Sequence, residues 1–316
     1  MRQYILRRLL LILPVLWGAS LFVFLAIRVV PGDVILARMQ EAHSIDAQLR
    51  EHIVRELGLD VPLHVQYWRW LSGVVTGDLG LSLISREPVS KEISRRIPIS
   101  AEVAALALVV AVLIAIPLGT LSAVKQDTWV DYVARLLSIF WLSVPNFVIG
   151  TAIIMIPALL WRYSAPLGFP SLLHEPAQNL EKIMPAALAL GALLSGVTTR
   201  MTRSTALEVL REDYIRTARA KGLAERIVIL RHALRNALIP VFTIVGDQFA
   251  ALLGGTVIVE TIFGIPGLGT LALTALRDKD YTMIQGVTLF FAFVHVVTNL
   301  TIDLVYAWFD PRIRYS

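Results

Sequence analysis

From residue 103 to residue 124 the chain carries no charged side chain. A helix rises about 1.5 Å per residue, so a run of this length matches the hydrocarbon core of a bilayer, about 30 Å thick. Lipid offers no partner for backbone N–H and C=O groups, so the run must be helical to satisfy them internally. It is one of several. Comparable apolar runs occupy 9–30, 99–124, 132–160, 184–202, 241–259 and 286–309, the third being interrupted at Pro145, Asn146 and Pro157. The pattern predicts an all-α polytopic membrane protein with about six transmembrane helices, a cytoplasmic loop and a long extracytoplasmic insertion after the first span. The expected division is 1–30 as an N-terminal anchor helix, 31–98 as the insertion and 99–316 as a five-span core containing the loop at 203–240.

The charges confirm the class by where they sit. Only 17% of residues are charged, against about 25% in soluble domains. A net charge of +5 could suggest nucleic acid, but the positive residues flank the spans, which topology explains more simply. Membrane lipids, not nucleic acid, are the expected surroundings. The chain has no cysteine, which excludes disulfides, thiol catalysis and Cys-ligated metal clusters. No Gly-x4-Gly-Lys-Ser/Thr loop and no His-Glu-x-x-His helix occurs, so neither nucleotide hydrolysis nor that zinc chemistry belongs to this polypeptide. No enzyme activity and no cofactor are expected.

The densest positive charge lies in 200–240, in Arg200, Arg203, Arg211, Arg216, Arg219, Lys221, Arg226, Arg231 and Arg235. A short basic stretch between two spans belongs in the cytoplasm, and Arg2, Arg7 and Arg8 place the N-terminus there too. Leu207, Leu210, Tyr214 and Ala218 recur at helical spacing. Gly222 breaks the pattern, and Ile227, Leu230, Leu234 and Leu238 restart it. Pro240 suits the first turn of a following helix. The expectation is two short amphipathic helices joined at a glycine, with Ala218 and Gly222 facing a partner.

These residues carry a resemblance. The run Tyr214, Ile215, Arg216, Thr217, Ala218, Arg219, Ala220, Lys221, Gly222, Leu223, with the later stretch from His232 to Pro240, resembles the coupling loop of ABC-importer permeases. It is most similar to their dipeptide, oligopeptide and nickel branch. The family's Glu-Ala-Ala is here Arg216, Thr217 and Ala218, its glycine is Gly222, and Ile239 and Pro240 stand for its Leu-Pro. Further similar stretches are Val30 to Asp33, Leu57 to Leu63 and Gly77 to Ser82, although Val34 stands where the family has proline. The segment Phe263 to Gly269 resembles the family's re-entrant element. The resemblance implies that 214–223 docks on an ATPase subunit. It also implies a second homologous permease chain, two ABC ATPase subunits and an extracytoplasmic solute-binding protein. The expected cargo is a short peptide or related small solute, carried across the bacterial inner membrane.

Polar side chains within the spans leave two readings open. His295, Asn299 and Asp303 share one face at four-residue spacing; Asp247, Gln248 and Asn146 lie in other spans. They can line a solute pathway or simply bond helix to helix. The alternative function is a proton-coupled secondary transporter using Asp247, His295 and Asp303. A membrane-embedded hydrolase has only scattered Ser, His and Asp behind it.

Overall fold

The structure, a computed structural model, describes residues 2–29, 60–164, 166 and 168–309. Side chains are described for 10–26, 60–164, 166, 168–252 and 256–302. Residues 31–59 of the expected insertion and the side chain of Asp303 lie outside the described residues. Among the described residues the regular structure is helical apart from one isolated bridge between Leu81 and Pro88.

The helices in order are α1 (Arg2–Val29), α2 (Leu63–Thr76), α3 (Val89–Val124), α4 (Trp129–Ser143), α5 (Asn146–Trp161), α6 (Pro176–Leu210) and α7 (Asp213–Ala220). Then come α8 (Glu225–Ile227), a π-helical turn at Val228–Ala233, α9 (Leu234–Gly255), α10 (Val257–Phe263), α11 (Leu268–Arg277) and α12 (Tyr281–Phe309). Among the described residues, four stretches are long and apolar enough to cross a membrane: Val89–Val124, Pro176–Leu210, Glu225–Leu252 and Tyr281–Ile302. Two further pairs are bent at a break, α4 with α5 by 98° and α10 with α11 by 90°. The first pair breaks at Val144 and Pro145, because Pro145 cannot donate to the helix and pushes Val144 into extended backbone.

Several boundaries differ from the sequence reading. The helix that holds the second span begins at Val89, so 89–98, assigned to the insertion, is helical. The helix of the third run starts at Trp129, before the apolar run at 132, and takes in Asp131 in its first turn. The fourth span extends to Pro176–Leu210, with a proline at its first turn and threonines buried down its inner length.

Contacts divide the chain into two compact units, Met1–Pro98 with Thr270–Val296, and Ile99–Gly269 with Val297–Ser316. In the first, α1 meets α2 through aromatics: Phe24 and Tyr67 stack edge-on at 5.2 Å, and the Tyr67 hydroxyl lies 2.9 Å from Ser20 Oγ. Trp68 stays 60% exposed on α2. The Gly77–Ser82 turn is held by Asp280. Ser82 Oγ donates to Oδ2 at 2.5 Å, while the Leu83 and Met283 N–H groups donate to Oδ1. Asp280 thereby also caps the start of α12.

In the second unit α6 is central, packing against α4, α5 and α9. Its small residues allow that approach. A Cβ on Gly191 would lie 2.6 Å from Val110 Cγ1, and one on Gly196 would lie 2.8 Å from the Ser138 carbonyl oxygen. Such contacts suit spans that gain nothing from the hydrophobic effect in lipid and associate through close packing. The core they build holds Val103, Ala107, Ile149, Ile183, Ala187 and Phe263.

Candidate functional site

The basic stretch folds around α7. Ile215 is fully buried and Ala218 nearly so, and both pack with Val228 and Ala233. Tyr214, Arg216, Thr217, Arg219, Ala220, Lys221, Gly222 and Leu223 are exposed. Ala218, expected to face a partner, therefore faces its own chain. The sequence stripe took Tyr214 as the inward residue, but Ile215 occupies that place, because α6 stops at Leu210 and α7 restarts the helix phase at Asp213. Tyr214 instead receives a hydrogen bond from Asn236 Nδ2 at 2.8 Å.

Gly222 has φ +75°, with nothing within 4 Å of a would-be Cβ. Its role inside this chain is thus backbone conformation, not space. Arg219 closes the loop after it, donating through Nε and a terminal nitrogen to Glu225 at 3.1 and 2.7 Å. That hydrogen bond holds the Arg219 guanidinium above its usual pKa.

The expected second helix is not separate. The chain runs from Glu225 through the π turn into α9, and Pro240 lies inside α9. One extra residue in the turn shifts the buried face. Val228, Ala233, Ala237 and Val241 point inward, spaced five, four and four apart. Ile227 and Leu230, from the expected stripe, are 43% and 52% exposed. A five-residue step is the signature of a π turn.

Just before this stretch, Arg203 on α6 meets Asp131 on α4, which is fully buried. Ser122 Oγ and the Asp127 N–H donate to the same carboxylate. A cavity of about 540 Å³ opens beside this pair and the start of α7, lined by Arg203, Glu208, Arg211, Glu212 and Asp213 among others.

Gln248 accepts from Thr198 Oγ1 at 3.2 Å and donates to the Leu194 carbonyl at 3.3 Å, so it bonds α9 to α6. Asn146 opens α5 after the Pro145 break. Asp247 and His295 are exposed and Asn299 half-buried. Sequence reasoning passed over a different carboxylate. Glu260 on α10 is fully buried and accepts hydrogen bonds from Ser100 and Thr256. Its only sequence signal was an acid set directly before the glycine-rich segment.

Residues 115–315 match the model of the binding-protein-dependent transport system inner membrane component, and residues 1–104 match that of the corresponding N-terminal membrane component. The chain belongs to this family. The glutathione transport system permease protein GsiC of Salmonella paratyphi A is 40% identical to it over 317 residues, covering 100% of both chains. The same-named protein of Escherichia coli K12 is 39% identical with equal coverage. A crystal structure of an amino acid ABC transporter with histidines aligns with a TM-score of 0.52 at 16% identity, over 77% of this chain and 98% of its own. That likeness speaks to the fold alone.

The chain is thus a permease subunit of an ATP-driven ABC importer and a multi-pass protein of the inner membrane. In such systems the permease works with ATPase and binding-protein components and a second permease. Nothing among these relatives supports the proton-coupled alternative.

Proposed function

We propose that this permease carries short peptides, with glutathione as the first candidate, delivered by an extracytoplasmic binding protein. The observation behind this reading is the full-length similarity to permeases named for glutathione transport. The assembly it implies holds one copy of this chain, one different but homologous permease chain and two ATPase chains. Residues 214–223 dock on an ATPase. Their exposed members Arg216, Thr217, Ala220, Lys221 and Gly222 form the contact, while Ile215 and Ala218 hold the loop's shape. Both termini lie in the cytoplasm, 31–98 is extracytoplasmic, and 99–316 forms the transporting core. Asn146, Asp247, Gln248, His295 and Asn299 contribute scattered polar groups to the pathway, which lets a zwitterionic peptide pass without tight binding.

The test is uptake of labelled glutathione into proteoliposomes holding the reconstituted complex. Glutathione-loaded binding protein outside and ATP inside are expected to drive accumulation. Competition by di- and tripeptides then sets the breadth of the cargo. Accumulation of another solute class, with glutathione neither transported nor competing, would overturn the substrate assignment.

A further inference from the structure

We propose that Glu260 is a positioning residue for transport, fixing the 264–269 turn to the second span through Ser100. The inference rests on the chain being a permease but not on the identity of its cargo.

Three elements of one compact unit meet at this carboxylate. Ser100 Oγ on α3 donates to Glu260 Oε1 at 2.7 Å, and Thr256 Oγ1, one turn before it, donates to the same oxygen at 2.6 Å. The Leu268 N–H then donates to Ser100 Oγ at 2.8 Å. Ser100 acts as a relay, donating to the carboxylate while accepting from the turn, as a hydroxyl can. Ser100 and Glu260 are fully buried and Leu268 is 2% exposed.

The turn is shaped around the carboxylate. A Cβ on Gly267 would fall 2.5 Å from Glu260 Oε2, and one on Gly269 would fall 2.6 Å from Val257 Cα. Gly264 takes φ +61° to end α10, and the Ile265 N–H returns to the Glu260 carbonyl oxygen at 2.8 Å. The Pro-Gly-Leu-Gly sequence is therefore what lets the chain wrap a buried acid.

Packing alone does not call for this arrangement. Val259, Phe263 and Ile265 already anchor the segment in the apolar core. Burying a carboxylate costs free energy that an apolar side chain would not. Non-helical backbone between spans is tolerated only where protein buries it or it faces a water-filled cavity. A directional contact that fixes where this bend sits is the return on that cost.

The experiment uses the full complex in proteoliposomes. Ile265→Cys, in a chain with no native cysteine, reports whether the turn stays buried, because Ile265 is fully buried. Glu260→Ala and Ser100→Ala are expected to expose that thiol to a maleimide. They are also expected to lower the maximal uptake rate, with the binding-protein concentration for half-maximal rate unchanged. Glu260→Gln keeps an acceptor for both hydroxyls and is expected to restore protection and most of the rate. If Glu260→Ala prevents assembly, Ser100→Ala, a single-atom deletion, carries the test. A released turn with wild-type uptake would overturn the proposal, as would an Ile265→Cys thiol that stays protected in both variants. Thiol protection does not depend on cargo, so failure of the glutathione assignment remains distinguishable.

Discussion

Arg203 grips Asp131 with two hydrogen bonds of 2.7 Å, Nε to Oδ1 and a terminal nitrogen to Oδ2. The fork fits the carboxylate in both directions, which a lysine could not reproduce. The pair joins α6 to α4, and Ser122 brings α3 to the same point. It lies where the long helices approach the exposed α7 stretch, so it sets the base from which that stretch projects.

Removing one member is expected to cost more than removing both. Arg203→Ala leaves a buried, uncompensated carboxylate, for which about 3–5 kcal/mol is usual. Arg203→Met combined with Asp131→Asn removes the charge as well and is expected to be milder. Thermal unfolding of the purified complex checks the order. A double variant less stable than Arg203→Ala would show that the pair's charge is not what matters.

The two small residues of the α7 stretch are expected to respond differently. Ala218 is 6% exposed against Ile215, Val228 and Ala233, so Ala218→Glu buries a charge inside the loop and lowers the stability of the subunit itself. Lys221→Glu changes only an exposed side chain and leaves unfolding unchanged, while weakening ATPase co-purification. If Ala218→Glu unfolds like wild type, the internal packing described for this loop is wrong.

At Gly222 the demand is conformational. With φ +75° and open space around it, alanine pays a left-handed backbone cost of about 1 kcal/mol and asparagine less. Gly222→Asn is therefore expected to retain more coupled ATP hydrolysis than Gly222→Val. The reverse order would point to a steric role at a partner surface.

Topology can be read with single cysteines. Leu173, between α5 and α6, is 89% exposed and serves as the outside probe. Leu173→Cys is expected to react with an impermeant reagent on intact cells, and Lys221→Cys only after permeabilisation. Labelling of Lys221→Cys from outside would invert the proposed orientation.

The spans were readable because a bilayer imposes one length and one polarity, and runs such as 103–124 satisfy both without help from other residues. Their ends were not. Residues 89–98 are polar enough to read as part of the insertion, yet they stay helical, and Arg203 gains its partner only through the fold. The phase of 227–238 misled for another reason. Periodicity assumes 3.6 residues per turn, and the π turn at Val228–Ala233 breaks that assumption without a marker residue. Glu260 and Ser100 stand 160 positions apart, and no local pattern connects them. The function was legible through resemblance in 214–240 and 263–269, not through periodicity or composition.

The most direct test of the account is the energy source for uptake. Proteoliposomes containing this chain, its partner permease and both ATPases are loaded with ATP and supplied with glutathione-bound binding protein. The account predicts accumulation that stops without ATP or without binding protein and is unaffected when an imposed proton gradient is collapsed. Accumulation driven by the proton gradient alone, with no ATP present, would contradict it.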